Sequence, residues 1–206
     1  MKEIIGRTMI GSHIWKMNHK DSDKDYFEIY SEDIYDILSH VAKYKSTFKQ
    51  SNGIDVHSHE VSHVVNQVLK GNINFVIGVL SPIIVVRTDE FISLRDLVRR
   101  TISKNIYHSI HGMTTGNYIK YIQKADTYTE HKCNQILRAI EFGIKVLQKG
   151  KLEFKPYKNG SPDEILEKLS ELEYSYLVSP LKESPPENSL RTWLLFHRIG
   201  QLDNKR

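Results

Sequence analysis

Asp23 and Asp25, separated only by Lys24, constrain this chain more than any other feature. They lead into Asp25-Tyr26-Phe27-Glu28-Ile29-Tyr30, whose alternation predicts a strand over residues 25–31. Carboxylates at i and i+2 of an extended strand point to one face, because side chains alternate with period two. Held side by side they repel and raise each other's pKa, so the pair calls for a counter-charge. A divalent cation supplies it. Hard oxygen ligands with few protein donors suit Mg²⁺ (or Mn²⁺), especially where phosphates complete the shell.

Two further stretches extend this reading. Gly11-Ser12 follows the apolar Met9-Ile10 and has the composition of a strand-to-helix turn, where backbone can approach a phosphate closely. Ile54-Asp55-Val56 follows the turn-forming Ser51-Asn52-Gly53 and predicts a strand carrying one carboxylate, with Ile54 and Val56 packed on the opposite face. Beside the Asp23/Asp25 strand, Asp55 would add a third acid to the same metal site. A phosphate cradle, an acidic pair and a third acid together predict nucleotidyl transfer. In that chemistry Asp23 and Asp25 serve two metal ions, while Asp55 serves the ion that activates the incoming hydroxyl.

The constellation Ile10-Gly11-Ser12, Asp23-Lys24-Asp25 and Ile54-Asp55-Val56 resembles the DNA polymerase β-like nucleotidyltransferase superfamily. Within it, Ser22-Asp23-Lys24-Asp25, Asn72 and Val79-Leu80-Ser81-Pro82 are similar to a prokaryotic nucleotidyltransferase family associated with RNA repair. Gly116-Asn117-Tyr118, Arg138 and Leu147-Gln148-Lys149-Gly150 resemble that family's helical half, so the likeness spans roughly residues 4–155. The resemblance implies an α+β fold, with a small mixed-sheet lobe followed by a helical C-terminal lobe. It implies an NTP substrate, Mg²⁺ or Mn²⁺ as cofactor, and an RNA or other polynucleotide acceptor. It places Gly11, Ser12 and Arg138 at the nucleotide, and Asp23, Asp25 and Asp55 at the metal and the chemistry; His13 and Lys16, which lie between the glycine turn and the acids, are candidates to meet the nucleotide's phosphate oxygens.

At 206 residues, with 39% hydrophobic and 26% charged, the chain suits a globular protein with a real core. No apolar run approaches the roughly 20 residues of a membrane helix, and Met1-Lys2-Glu3-Ile4-Ile5 lacks a signal-peptide pattern. The single cysteine, Cys133, excludes an internal disulfide framework and predicts a cytoplasmic protein. A formal charge of +4 permits a polyanionic substrate without demanding one. Oligomeric state is not legible.

Strands are expected over residues 3–10, 25–31 and 55–57, with Ile83 to Val86 returning to the sheet or to a hairpin. Helices are expected over 12–18, 34–44 and 59–70. Beyond about residue 89 the pattern turns helical, over 91–102, 107–124, 128–149 (ended by Gly150), 161–172 and 189–199, with a linker at 181–188. The division expected is a catalytic lobe, 1–88, and a helical lobe, 89–206, with a nucleotide in the cleft between them.

Each site residue also has a plainer explanation. The Lys20 to Asp25 run reads equally as a solvated strand start, and His13, Lys16 and Lys20 as a solvated helix face. Arg138, among Ile136, Leu137 and Ile140, could be a buried ion-pair partner or a phosphate grip, and Lys132 is a weaker candidate of that kind. Tyr118, Tyr121 and Trp193 read as packing aromatics, with base stacking the lesser alternative. His59-Glu60-x-x-His63 matches a zinc-hydrolase motif, which on a helix puts two imidazoles on one face with Glu60 as base. No third ligand motif follows, and the alternative is a surface-facing helix start. Three functions therefore stand: an active nucleotidyltransferase, a non-catalytic nucleotide- or RNA-binding relative, and a zinc hydrolase.

Overall fold

The alternating segment after Asp23 forms the middle of a mixed five-stranded sheet, ordered β3-β4-β2-β1-β5, in the computed structural model. The described residues are 3–39, 46–125, 127 and 129–203. The strands are β1 (Glu3–Ile10), β2 (Lys24–Ser31), β3 (Thr47–Ser51), β4 (Ile54–Glu60) and β5 (Ile84–Arg87). Among the described residues β2 and β4 pair in parallel, and β1 with β2, β1 with β5, and β3 with β4 are antiparallel. The fold is α+β, as expected.

The chain divides into two compact units. The first holds residues 1–101 and 186–206. Besides the sheet it contains α1 (Ile34–Leu38), α2 (Val61–Leu69), α3 (Ile73–Leu80), α4 (Asp89–Arg100) and α8 (Glu187–Asp203). Helices α2, α3 and α4 bury Val61, Val64, Val65, Val76, Val79, Phe91 and Leu94 over the sheet face that carries Phe27 and Ile29, α2 against β2 and β4, α3 and α4 against β1. Each such side chain contributes about 1.5–3 kcal/mol when fully buried. Thr8 Oγ1 ties the sheet to α3 by donating to the Gly78 carbonyl at 2.6 Å. Helix α8 is fastened to the same unit by Arg198, which donates to Glu60, to Ser31 Oγ (2.7 Å) and to Ser62 Oγ (2.9 Å).

The second unit, residues 102–185, is helical. Helix α5 (Ile106–Tyr118) runs into a π-helical turn (Ile119–Gln123), followed by α6 (Glu130–Lys149) and α7 (Pro162–Leu177). The three helices meet at Gly143, where an added Cβ would lie 2.9 Å from both Ile110 and Leu172. Gly150 ends α6 in the left-handed region (φ +63°), with its N–H on the Val146 carbonyl at 2.8 Å. Ser161 caps α7 and Pro162 opens it, as the sequence predicts.

Several expectations need correction. Instead of a helix over 12–18 there is a three-residue 3₁₀ turn, Gly11–His13. Strand β4 runs on to Glu60, because its pairing with β2 continues as far as Tyr30, and α2 begins only at Val61. Ile54 is exposed rather than packed. Helix α1 ends at Leu38, and residues 40–44 of the expected helix, like Tyr128, lie outside the described residues. Strand β3 and helix α3 had no counterpart in the expected elements. Among the described residues, no helix is long and apolar enough to cross a membrane.

Candidate active site

The parallel ladder of β2 and β4 is in register at the acids: Asp25 lies directly beside Asp55, and the ladder continues with Phe27 beside His57 and Ile29 beside His59. Alternation places Asp25, Phe27 and Ile29 on one face together with Asp55, His57 and His59. The face that carries the hydrophobic core therefore carries the acids at its end. Both acids are half-buried. Burial raises the Asp25 pKa above the usual carboxylate range, and Asp55 and Asp23 raise it further, while His57 and His13 oppose them. Asp55 Oδ1 is buried and accepts no hydrogen bond among the described residues; Oδ2 has only a long contact from Gln50 Nε2, at 3.4 Å. A buried carboxylate oxygen without a donor, beside a second carboxylate, is a site fitted for a cation.

Asp23 sits just before β2 and is exposed, its Oδ1 3.3 Å from where a Cβ on Gly53 would stand. Gly53 belongs to the two-residue turn between β3 and β4, in which Asn52 (φ 49°) and Gly53 (φ 72°) are both left-handed. Lys24 N–H then donates to the Gly53 carbonyl at 2.8 Å. Asp25 and Asp55 are thus direct neighbours, with Asp23 within electrostatic reach of Asp25. Among the described residues, no three His, Cys, Asp or Glu side chains stand close enough together to hold a metal ion.

Gly11 lies against the pair. Ile10 is the partner of Asp25 in the β1–β2 ladder, and Gly11 follows with φ +69°. A Cβ there would stand 1.9 Å from Asp25 Oδ2, so only glycine leaves room for that carboxylate. The 3₁₀ turn then presents Ser12 and His13. Ser12 carbonyl accepts from Trp15 (3.3 Å) and Met17 (3.0 Å), and buried Trp15 anchors the loop. His13 is half-buried and acts electrostatically on Asp25; its Nε2 has no hydrogen-bond partner among the described residues. Lys16 (φ 55°) and Lys20 are exposed.

The zinc-hydrolase motif has a different geometry from the one its spacing suggests. His59 lies in β4, Glu60 ends that strand and caps α2 by accepting from Ser62 N–H at 2.7 Å, and only His63 lies within the helix. Glu60 is fully buried and paired with Arg198. His59 is buried between Phe27 (ring centroids 4.7 Å) and Phe75 (4.8 Å), with Ser46 Oγ 2.7 Å from Nδ1. Burial first, and then His63 and His57, hold its pKa down to about 4. The expected surface-facing helix start is in fact a packed junction.

In the helical unit, Arg138 lies on α6, half-buried, and burial lowers its pKa to about 10. Lys132, also on α6, and Lys120 each place Nζ 4.7 Å from the Tyr121 ring centre. A hydrogen bond from Lys120 and the charges of both lysines lower the Tyr121 pKa. Tyr118 ends α5, and Trp193 stacks on His197 at 5.5 Å within α8. The sequence reading missed Phe48, Gln50 and His57. Gln50 is paired with Asp55, and Phe48 with His57. The signal that would have found them is Asn52-Gly53, which marks a tight hairpin and fixes which residues face one another.

No curated protein matches the chain in sequence. The family model of the RNA repair pathway DNA polymerase beta family matches residues 2–176. That span includes the Gly11 turn, all three acids and Arg138, and on it the chain belongs to the RNA repair pathway DNA polymerase beta family.

Proposed function

We propose that this protein is a metal-dependent nucleotidyltransferase that moves a nucleoside monophosphate from an NTP to a hydroxyl, releasing pyrophosphate. The observation that carries this reading is the in-register Asp25–Asp55 pair, with its raised Asp25 pKa and the buried Asp55 Oδ1 that meets no donor among the described residues. In the reaction the acceptor oxygen forms a bond to the α-phosphorus and the bond from that phosphorus to the bridging oxygen breaks. Asp55 takes the hydroxyl proton. Gly11 and Ser12 bring backbone close to the triphosphate, and His13 and Lys16 offer donors to its oxygens. Asp25 and Asp55, joined by Asp23 moving in from the rim, would hold Mg²⁺ or Mn²⁺, which would supply positive charge to the acids, the hydroxyl and the leaving pyrophosphate.

Membership in a family described by RNA repair supports an RNA end as acceptor. A cytoplasmic setting suits the buried free thiol of Cys133. The test is incubation with each α-labelled NTP, Mg²⁺ or Mn²⁺, and RNA or protein acceptors. Label should appear in RNA and depend on the divalent ion; binding without incorporation across all acceptors would leave a non-catalytic relative.

A further inference from the structure

We propose that Phe48 and His57 form a stacking platform for an unpaired base at the acceptor end, which makes the acceptor a single-stranded polynucleotide. This rests on the transfer chemistry assigned to Asp25 and Asp55. Strand β3 is the free edge of the sheet beside β4, and all its residues are exposed. Its register sets Gln50 opposite Asp55 and Phe48 opposite His57, so these four side chains share the face that carries the acids. The Phe48 and His57 rings lie 4.8 Å apart, tilted by 38°, and Phe48 remains 55% exposed.

Position gives this aromatic pair its meaning, since a single exposed apolar residue is ordinary. Two residues along a strand span about 6.6 Å. The platform therefore begins within one nucleotide's length of the carboxylate that takes the hydroxyl proton. A ribose placed at Asp55 would lay its base, or the next one, over Phe48. Gln50 stands between them with both a donor and an acceptor, held among the described residues by a 3.4 Å contact to Asp55, and can turn to a base edge or a ribose hydroxyl. Stacking on a phenyl ring tolerates every base, because each has a π-face. In a duplex, internal base faces are already covered by their neighbours, so the platform favours unpaired ends.

The experiment measures binding of a labelled, short single-stranded RNA to the full chain by fluorescence anisotropy. It compares wild type with Phe48→Ala, each with an RNA whose terminal base is present or removed. Losing the ring should weaken binding on the order of 5- to 150-fold. Removing the base should cost a similar factor in wild type and almost none in Phe48→Ala, because both changes delete one contact. Phe48→Trp should restore affinity, and NTP affinity should be equal in all three proteins, which also reports that they are folded. Undiminished RNA affinity in Phe48→Ala, or losses that multiply, would overturn the proposal. If wild type transfers label to RNA while Phe48→Ala does so with unchanged KM, the platform alone falls; if wild type transfers to no acceptor, the transfer reading falls.

Discussion

Asp25→Asn removes one of two carboxylates that β2 and β4 hold side by side. Paired strands lie about 4.8 Å apart. Unit charges at about 5 Å repel by roughly 3 kcal/mol at an effective dielectric of 20, and by under about 1 kcal/mol in water. Both acids are only half-buried, so solvent screening puts the relief at about 1–2 kcal/mol. For a chain of this length that is a rise in Tm of about 2–8 °C. The sign in pH follows from the raised Asp25 pKa. Below the ordinary carboxylate range Asp25 is protonated folded or unfolded, and the two proteins should melt alike. As pH rises through that range and past the raised folded value, the unfolded chain ionises first and wild type loses stability that Asp25→Asn keeps. Scanning calorimetry without divalent ions, from about pH 3 to pH 8, measures this. Adding Mg²⁺ should then stabilise wild type more than the variant. A variant that melts at or below wild type at neutral pH would refute the reasoning that the pair is held under repulsion.

Arg198→Ala strands the fully buried Glu60 as an unpaired charge and should cost about 3–5 kcal/mol in denaturant unfolding; a loss below about 1 kcal/mol would mean that α8 does not fasten the sheet through this pair. Gly11→Ala drives a methyl group into Asp25 Oδ2 and should lower turnover at saturating NTP by on the order of 10²-fold, whereas near-normal turnover would detach the glycine turn from the site. Burial keeps His59 neutral down to about 4, so stability that is complete above about 6.5 should fall as pH drops toward 4. Urea midpoints across that window should slope less in His59→Gln, and an equal slope would assign the acid sensitivity elsewhere. Wild type should also purify without stoichiometric zinc, and His59→Ala should leave nucleotide affinity unchanged; bound zinc lost in that variant would restore the hydrolase reading.

What the sequence revealed follows the reach of each interaction. Period-two alternation made β2 legible, and Ser161 and Gly150 marked helix ends, because those signals are local. Strand β3 escaped because Thr47-Phe48-Lys49-Gln50-Ser51 is exposed throughout and shows no apolar face. Helix α3 escaped for the opposite reason: Ile73–Leu80 is a short, almost wholly apolar run, which periodicity cannot divide between strand and helix. The end of β4 is set by pairing with β2, a contact between distant segments, and so His59 and Glu60 read as helix when taken alone. The acids were legible by type and spacing. That Asp25 and Asp55 fall in register, with Asp23 at the rim, depends on that same parallel pairing.

The central claim is that chemistry occurs at the Asp25–Asp55 pair, and Asp55→Asn tests it most directly. Asn keeps the shape of the side chain and removes the charge that takes the proton. With saturating Mg²⁺ and labelled NTP, single-turnover incorporation into RNA should fall by on the order of 10²–10⁴-fold, while the nucleotide Kd changes little. Incorporation at the wild-type rate would place the chemistry elsewhere.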